Sequence, residues 1–301
     1  AAALEPGITT RELDLIGRKI LEENGARSAP ELCYEFPGAT CISVNEEVAH
    51  GIPGDRVIKA GDLVNIDVSA EKNGFFGDTG SSFIVPPGVA KIERLLRDGK
   101  RALWVGLNQV KTGQPMANIG NAIGAFAKKN RYTLIQNLAS HGVGRSLHEE
   151  PKELSTWPDP DETRIMEEGL VFTIEPFLSL GGIWAEDGEK DNWTLFSEPS
   201  APTVQFEHTI VVTRNGPLVL TLIDRSAGGS PAGAVRQSQA EKLIDMPFLR
   251  KKDCMILRPW RLDCASFAGS KTASLTPSLA MAALSAATWI SRSSLSLLID
   301  T

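Results

Sequence analysis

Cysteine is scarce in this sequence: four in 301 residues (Cys33, Cys41, Cys254 and Cys264), too few for a disulfide scaffold and in keeping with free thiols in a reducing compartment. No apolar run reaches the roughly 18 residues that a membrane-spanning helix requires, so an integral membrane protein is not expected. A basic surplus is also missing. The net charge of -6 argues against a nucleic-acid binder. No basic leader followed by an apolar run opens the chain, so no signal peptide is expected. Nor is there a compositional bias, since 42% hydrophobic and 23% charged residues exclude a wholly disordered or collagen-like chain and support a fully buried core.

That average conceals two unlike parts. Residues 222–301 carry a net +4, leaving -10 for residues 1–221, and all four histidines (His50, His141, His148 and His208) precede residue 222. Chemistry is therefore expected in residues 1–221, taken as one domain. The remaining stretch holds twelve serines, a Gly/Ser/Pro/Ala linker over 227–233, and an apolar run over 275–298 broken by Pro277 and Arg292. It reads as a Ser/Ala-rich tail: a disordered extension, a wrongly framed end, or a small partner-binding module.

Thr9 and Glu12 form a capping box ahead of an apolar stripe of Leu13, Ile16, Ile20 and Leu21, which ends at Asn24-Gly25. From residue 39 to about 85 the pattern turns to β, with a β-branched run over 63–68 and an Asn73-Gly74 turn leading into 75–85. Helical periodicity returns over 92–110 and 119–126, and strand-like runs over 170–174 and 204–212.

Gly61-Asp62-Leu63-Val64-Asn65-Ile66-Asp67 lies over Gly169-Leu170-Val171-Phe172-Thr173-Ile174-Glu175 without a gap. Two buried strands can look alike by chance. A duplicated α+β unit would instead aim one carboxylate from each half at a shared centre. Asp67 is expected to end its strand, and the hairpin would bring Asp78 to the same end of the sheet. His141 sits in Ser140-His141-Gly142-Val143-Gly144, Glu175 precedes Pro176, and Glu207 precedes His208, which should point to the opposite face of its strand. Singly, such an Asp is more often a turn or cap residue, a Glu half of an ion pair, and a His a satisfied core side chain. Together, four carboxylates and one imidazole in apolar settings suggest a cation site, because divalent ions satisfy several buried charges at once. A set rich in oxygen, with one nitrogen and no thiolate, suits Mn, Fe, Co or Zn without choosing among them.

The chain resembles the type I methionine aminopeptidases over about residues 5–221. The motifs are Cys41-Ile42-Ser43-Val44-Asn45-Glu46, Ala49-His50-Gly51-Ile52-Pro53, the Gly61–Val68 run, Gly77-Asp78-Thr79, His141-Gly142-Val143-Gly144-Arg145, His148-Glu149-Glu150-Pro151, Thr173-Ile174-Glu175-Pro176 and Phe206-Glu207-His208-Thr209. The 26 residues between His148 and Glu175 leave no room for the helical insertion of type II enzymes. The resemblance implies the α+β pita-bread fold, a pseudo-two-fold duplicated unit with a curved antiparallel sheet covered by helices. It implies removal of an N-terminal methionine preceding a small second residue, by water activated on two divalent metal ions. The metal ligands would be Asp67, Asp78, His141, Glu175 and Glu207, with Asp78 and Glu207 bridging and Asp67 chelating one ion. Glu175 would be the general base, His148 would bond the substrate near its developing oxyanion, and His50 would contact the amide nitrogen. Phe36, Cys41, Leu147 and Trp193 would line a soft methionine pocket.

Further implications are a cytoplasmic monomer acting on nascent N-termini, with the ribosome as the place of encounter. Four departures accompany the resemblance. The family's N-terminal helix ahead of Pro6-Gly7 is longer, so this helix is expected to be truncated. Leu147 replaces a Phe, Gly80-Ser81-Ser82 replaces Ser-x-Thr, and residues 222–301 match no part of the family. Two other readings remain open at this point: an X-Pro aminopeptidase or dipeptidase of the same fold, and a binding fragment without catalysis.

Overall fold

In the computed structural model, which describes residues 2–188 and 191–222, Thr9 caps the first helix as its sequence requires. The Thr9 hydroxyl accepts from the Glu12 N–H at 3.1 Å and the Glu12 carboxylate accepts from the Thr9 N–H at 2.8 Å, opening α1 (Thr10–Glu23). A cap of this kind is worth about 1 kcal/mol. Leu13 and Leu21 on one face of α1 pack against Ile42, Val64 and Ile66. Next come β1 (Arg27–Ser28), α2 (Ala29–Tyr34), β2 (Cys41–Val44) and β3 (Glu47–Ala49). The six-residue α2 is too short to show a helical period; a Ser28 cap and Pro30 in its first turn hold it.

β4 (Leu63–Lys72) and β5 (Phe75–Ile84) form the long hairpin read from Asn73-Gly74, whose positive φ values of 56° and 80° suit a two-residue turn. Asp67 does not end its strand. The turn closes only after Lys72, so pairing carries β4 five residues beyond Asp67, and the carboxylate lies mid-strand. β4 pairs with β1 and β2 on one edge and β5 on the other.

Two amphipathic helices, α3 (Ala90–Leu107) and α4 (Ala117–Asn130), follow. The second half then contributes β6 (Thr133–Leu134), β7 (Ser140–Gly142), β8 (Glu149–Leu154), β9 (Val171–Ile174), β10 (Phe177–Ser179), β11 (Trp184–Asp187), β12 (Leu195–Glu198), β13 (Thr203–Gln205), β14 (His208–Thr213) and β15 (Gly216–Val219). They form a five-stranded sheet, β15-β14-β9-β7-β8, and a three-stranded sheet, β13-β10-β6, while β11 and β12 join β3 of the first half in another, β11-β12-β3. The run read as one strand over 204–212 is broken. β13 belongs to one sheet and β14 to another, and between them Phe206 bridges to Ser81 while the Glu207 N–H bonds to the Gly80 carbonyl at 2.9 Å. The break delivers Glu207 to the seam with the first half.

The duplication is visible in the backbone. Gly61 and Gly169, at φ values of 90° and 86°, introduce β4 and β9. The Gly61 N–H bonds to Val85 O and the Val85 N–H returns to Asp62 O; Gly169 and Val212, with Leu170, repeat the pattern. Leu95, Leu103, Leu107, Ile119 and Ile123 of the two helices join Phe172, Ile174, Ile210 and Val212 in the main core. Strand alternation therefore turns Thr173 and Thr209 to the opposite face. His208 lies on the helix side, its Nδ1 2.8 Å from the Thr221 hydroxyl, and burial with the charge of Lys100 lowers its pKa to about 4. The Ser/Ala-rich tail beyond Leu222 lies outside the described residues.

Candidate metal centre

Asp67 stands opposite Gly80 in the β4–β5 ladder, and Asp78 stands opposite Ser69, so the two carboxylates are diagonal neighbours on one face. The second half is stitched to this hairpin by its backbone. Thr209 Oγ1 accepts from the Asp78 N–H at 2.9 Å and donates to the Asp78 carbonyl at 2.7 Å, while Thr79 Oγ1 donates to the Glu207 carbonyl at 2.9 Å. From the other side, His141 on β7 donates its N–H to Thr173 Oγ1 at 3.1 Å, whose hydroxyl donates to Glu175 Oε1 at 2.8 Å. The Glu175 N–H bonds to Ser140 Oγ at 3.0 Å. Asp78, His141 and Glu207 each present a donor atom within 4.8 Å of the other two. Glu175 Oε1 lies 3.6 Å from His141 Nε2, and Asp78 Oδ2 lies 3.8 Å from it. Asp67 is linked to Glu207 through the Gln205 amide at 3.2 Å on each side.

The electrostatics suit a cation. His141 Nδ1 is 3.1 Å from the Gly142 carbonyl, which can only accept, so Nδ1 carries the proton and Nε2 turns a lone pair toward the acids. Burial and the nearby His148 lower the His141 pKa to about 4, keeping the ring neutral. Burial raises Glu175 to about 8 and Asp67 to about 6. Burial and mutual repulsion push Asp78 and Glu207 well above the usual carboxylate range. Among the described residues no Lys or Arg pairs with these four carboxylates. Asp78 Oδ1 and Glu207 Oε1 are buried without any hydrogen-bond partner. Orphaned acceptors cost free energy singly, and a cation among them satisfies several together. The donor set present fits hard or borderline divalent ions.

The other expected site residues fall around this centre. His148 is exposed, with its ring centroid 3.9 Å from that of His141, and its Nδ1 is 2.5 Å from the Tyr34 hydroxyl. His50 is exposed in the loop after β3 at φ 53°, and desolvation of its ring together with His148 lowers its pKa. Phe36 and Trp193 meet edge to face with centroids 5.3 Å apart, and Asp191 Oδ1 holds the Trp193 N–H at 2.8 Å. Cys41 is paired with Asp67 in the β2–β4 register, and burial with the charges of Asp67, Asp78 and Asp14 keeps its thiol protonated. Leu147 is buried beside His148 in sequence, and its backbone faces the exposed Cys33 thiol.

Residues 1–214 match the description Metallopeptidase family M24. The chain belongs to this family. A methionine aminopeptidase of Staphylococcus epidermidis is 48% identical over 223 residues, covering 74% of this chain and 88% of that protein. Methionine aminopeptidase 2 of Bacillus subtilis is 45% identical over 218 residues, covering 72% and 87%. The crystal structure of methionine aminopeptidase from Rickettsia prowazekii superposes with a TM-score of 0.69 at 34% identity, covering 72% of this chain and 88% of that one. Prolidase from Pyrococcus furiosus shares the fold at a TM-score of 0.58 and 24% identity, covering 74% of this chain and 58% of that one. The architecture of this M24 metallopeptidase is thus the pita-bread fold expected from its sequence.

Sequence reading missed three partners of the centre. Gln205 was within reach, since it stands two residues before Glu207, and a two-residue spacing along an extended chain returns a side chain to the same face. Thr173, two residues before Glu175, carried the same signal. Tyr34 had none: it lies on the short α2, 114 residues from the histidine that it touches.

Proposed function

We propose that this chain hydrolyses the peptide bond after an N-terminal methionine when the second residue is small. The observation that supports this most directly is the convergence of Asp78 and Glu207, each with one buried oxygen that lacks a partner, with His141, whose Nε2 is unprotonated. Asp67, Asp78, His141, Glu175 and Glu207 would hold two divalent ions. Such ions lower the pKa of water and polarise a carbonyl.

The chain's own groups supply the rest. Glu175 Oε1 is already engaged by Thr173, so Oε2 receives the proton of the attacking water. Tyr34 Oη contacts His148 Nδ1; with the hydroxyl as donor, the ring proton sits on Nε2 and would donate to the substrate oxygen as negative charge develops there. His50 meets the scissile nitrogen and assists the departing amine. Phe36 and Trp193 offer ring edge and face to a thioether, with Cys41 and Leu147 completing a soft wall. On this reading Phe36→Ala lowers kcat/KM roughly tenfold, mainly through KM, because a packed aromatic wall of the pocket is lost. Steady-state kinetics on a methionyl peptide check it.

Residues 1–221 form the catalytic unit in this proposal. The chain works as a monomer in the cytoplasm on the N-termini of nascent polypeptides, which it meets at the ribosome. Among the described residues no helix is long and apolar enough to cross a membrane. The test is direct. Purified protein supplied with Co(II) or Mn(II) should release methionine from Met-Gly peptides and leave Met-Lys peptides intact. A folded sample that turns over neither peptide with either metal overturns the proposal.

A further inference from the structure

Gln205 is 1% exposed and lies at the seam between the two halves, with every polar atom of its side chain committed. Its Oε1 accepts from Asn65 Nδ2 at 2.8 Å. Its Nε2 donates to Asp67 Oδ2 and to Glu207 Oε2, each at 3.2 Å. The Asn65 bond settles the amide's orientation. The opposite flip would set Oε1 against two carboxylates and turn two amide NH2 groups toward each other. Its backbone is locked as well: the Gln205 N–H bonds to Ser82 Oγ at 3.0 Å, and that hydroxyl donates back to the Gln205 carbonyl at 3.0 Å. Gly80 makes the space, because a Cβ there would lie 2.1 Å from Gln205 Oε1.

Both hydrogens of one amide nitrogen are thus shared between a carboxylate of the first half and one of the second. The second oxygen of Glu207, Oε1, is the one left without a partner. We propose that Gln205 is a positioning residue for the metal centre: held by Asn65, it sets the spacing and rotation of the Asp67 and Glu207 carboxylates across the seam between the halves. This inference rests on the two-ion reading of the site and assigns a role to a residue outside the ligand set. Partners of this kind orient the ligands before the ion arrives, and their loss typically costs 10- to 100-fold in metal affinity.

The experiment titrates Co(II) into metal-free wild-type, Gln205→Leu and Asn65→Leu proteins, following the visible absorption of the bound ion against a competing chelator. Gln205→Leu should bind Co(II) roughly 10- to 100-fold more weakly, with a changed absorption envelope. Asn65→Leu retains the glutamine but frees its amide to rotate, and should shift affinity in the same direction by a smaller factor. Far-UV circular dichroism and melting of each metal-free protein establish that the sample is folded. If Gln205→Leu fails to fold, Asn65→Leu carries the test. Unchanged affinity and spectrum in the folded variants overturn the inference, even if their melting temperatures fall. Wild-type protein that loads Co(II) but releases no methionine defeats the peptidase reading and leaves the affinity comparison standing.

Discussion

Asp78→Asn and Glu207→Gln are expected to lower kcat/KM for methionine release by roughly a thousandfold, the equivalent of about 4 kcal/mol of lost transition-state stabilisation. Each change preserves shape and removes one negative charge from a group where four carboxylates crowd without a Lys or Arg partner among the described residues. The same substitutions should raise the melting temperature of the metal-free protein. Burial and mutual repulsion oppose ionisation of both carboxyls, and a neutral amide in either place carries no charge to bury. In a domain of this size a gain of 1 kcal/mol appears as about 2–4 °C. Opposite signs, with activity lost and metal-free stability gained, identify a site built for a cation rather than for the fold. Atomic absorption completes the test. Full two-ion loading in both variants would show that neither carboxylate bridges.

Metal removal should destabilise the protein increasingly as pH rises. Burial, reinforced by the neighbouring Asp67, lifts the folded-state pKa of Glu175 from 4.5 to about 8, and burial lifts Asp67 from 3.8 to about 6. Between the unfolded and folded pKa values the metal-free native state holds more protons than the unfolded chain, so its stability falls as pH rises through that window. The contribution is fully present below about pH 4 and is lost by about pH 8. Bound divalent ions favour the ionised carboxylates and remove this penalty, so the gain on metal addition widens with pH. Thermal melts with chelator and with Mn(II), at steps from pH 5 to 8, measure the divergence. Parallel curves across that range would exclude the four-acid centre as the source of the metal's stabilisation.

Local sequence signals proved dependable where the physics is local. The Thr9/Glu12 capping box, the Asn73-Gly74 hairpin and the glycines that introduce β4 and β9 all lie where turn and cap chemistry puts them. These devices act over two to four residues, so neighbouring side chains are sufficient to specify them. The aligned Gly-led strands likewise pointed to a duplicated unit, which the matched hydrogen bonds of Gly61 with Val85 and Gly169 with Val212 display. Strand extent was less legible. The β-branched run stops at Val68 and so marks Asp67 as near a strand end, whereas the ladder with β5 continues to Lys72.

The sequence by itself determined which side chains are available for chemistry: four carboxylates and a histidine in apolar runs, and two further histidines in glycine-containing loops. Only the tertiary structure decided how they combine. The break at Phe206 and Glu207 exists because β13 and β14 join different sheets, and no local propensity marks it. Asn65 and Gln205 stand 140 residues apart, and their bond exists only because the two halves dock at the seam. Contacts across that distance depend on register and on the space left at Gly80, which are properties of the packed whole.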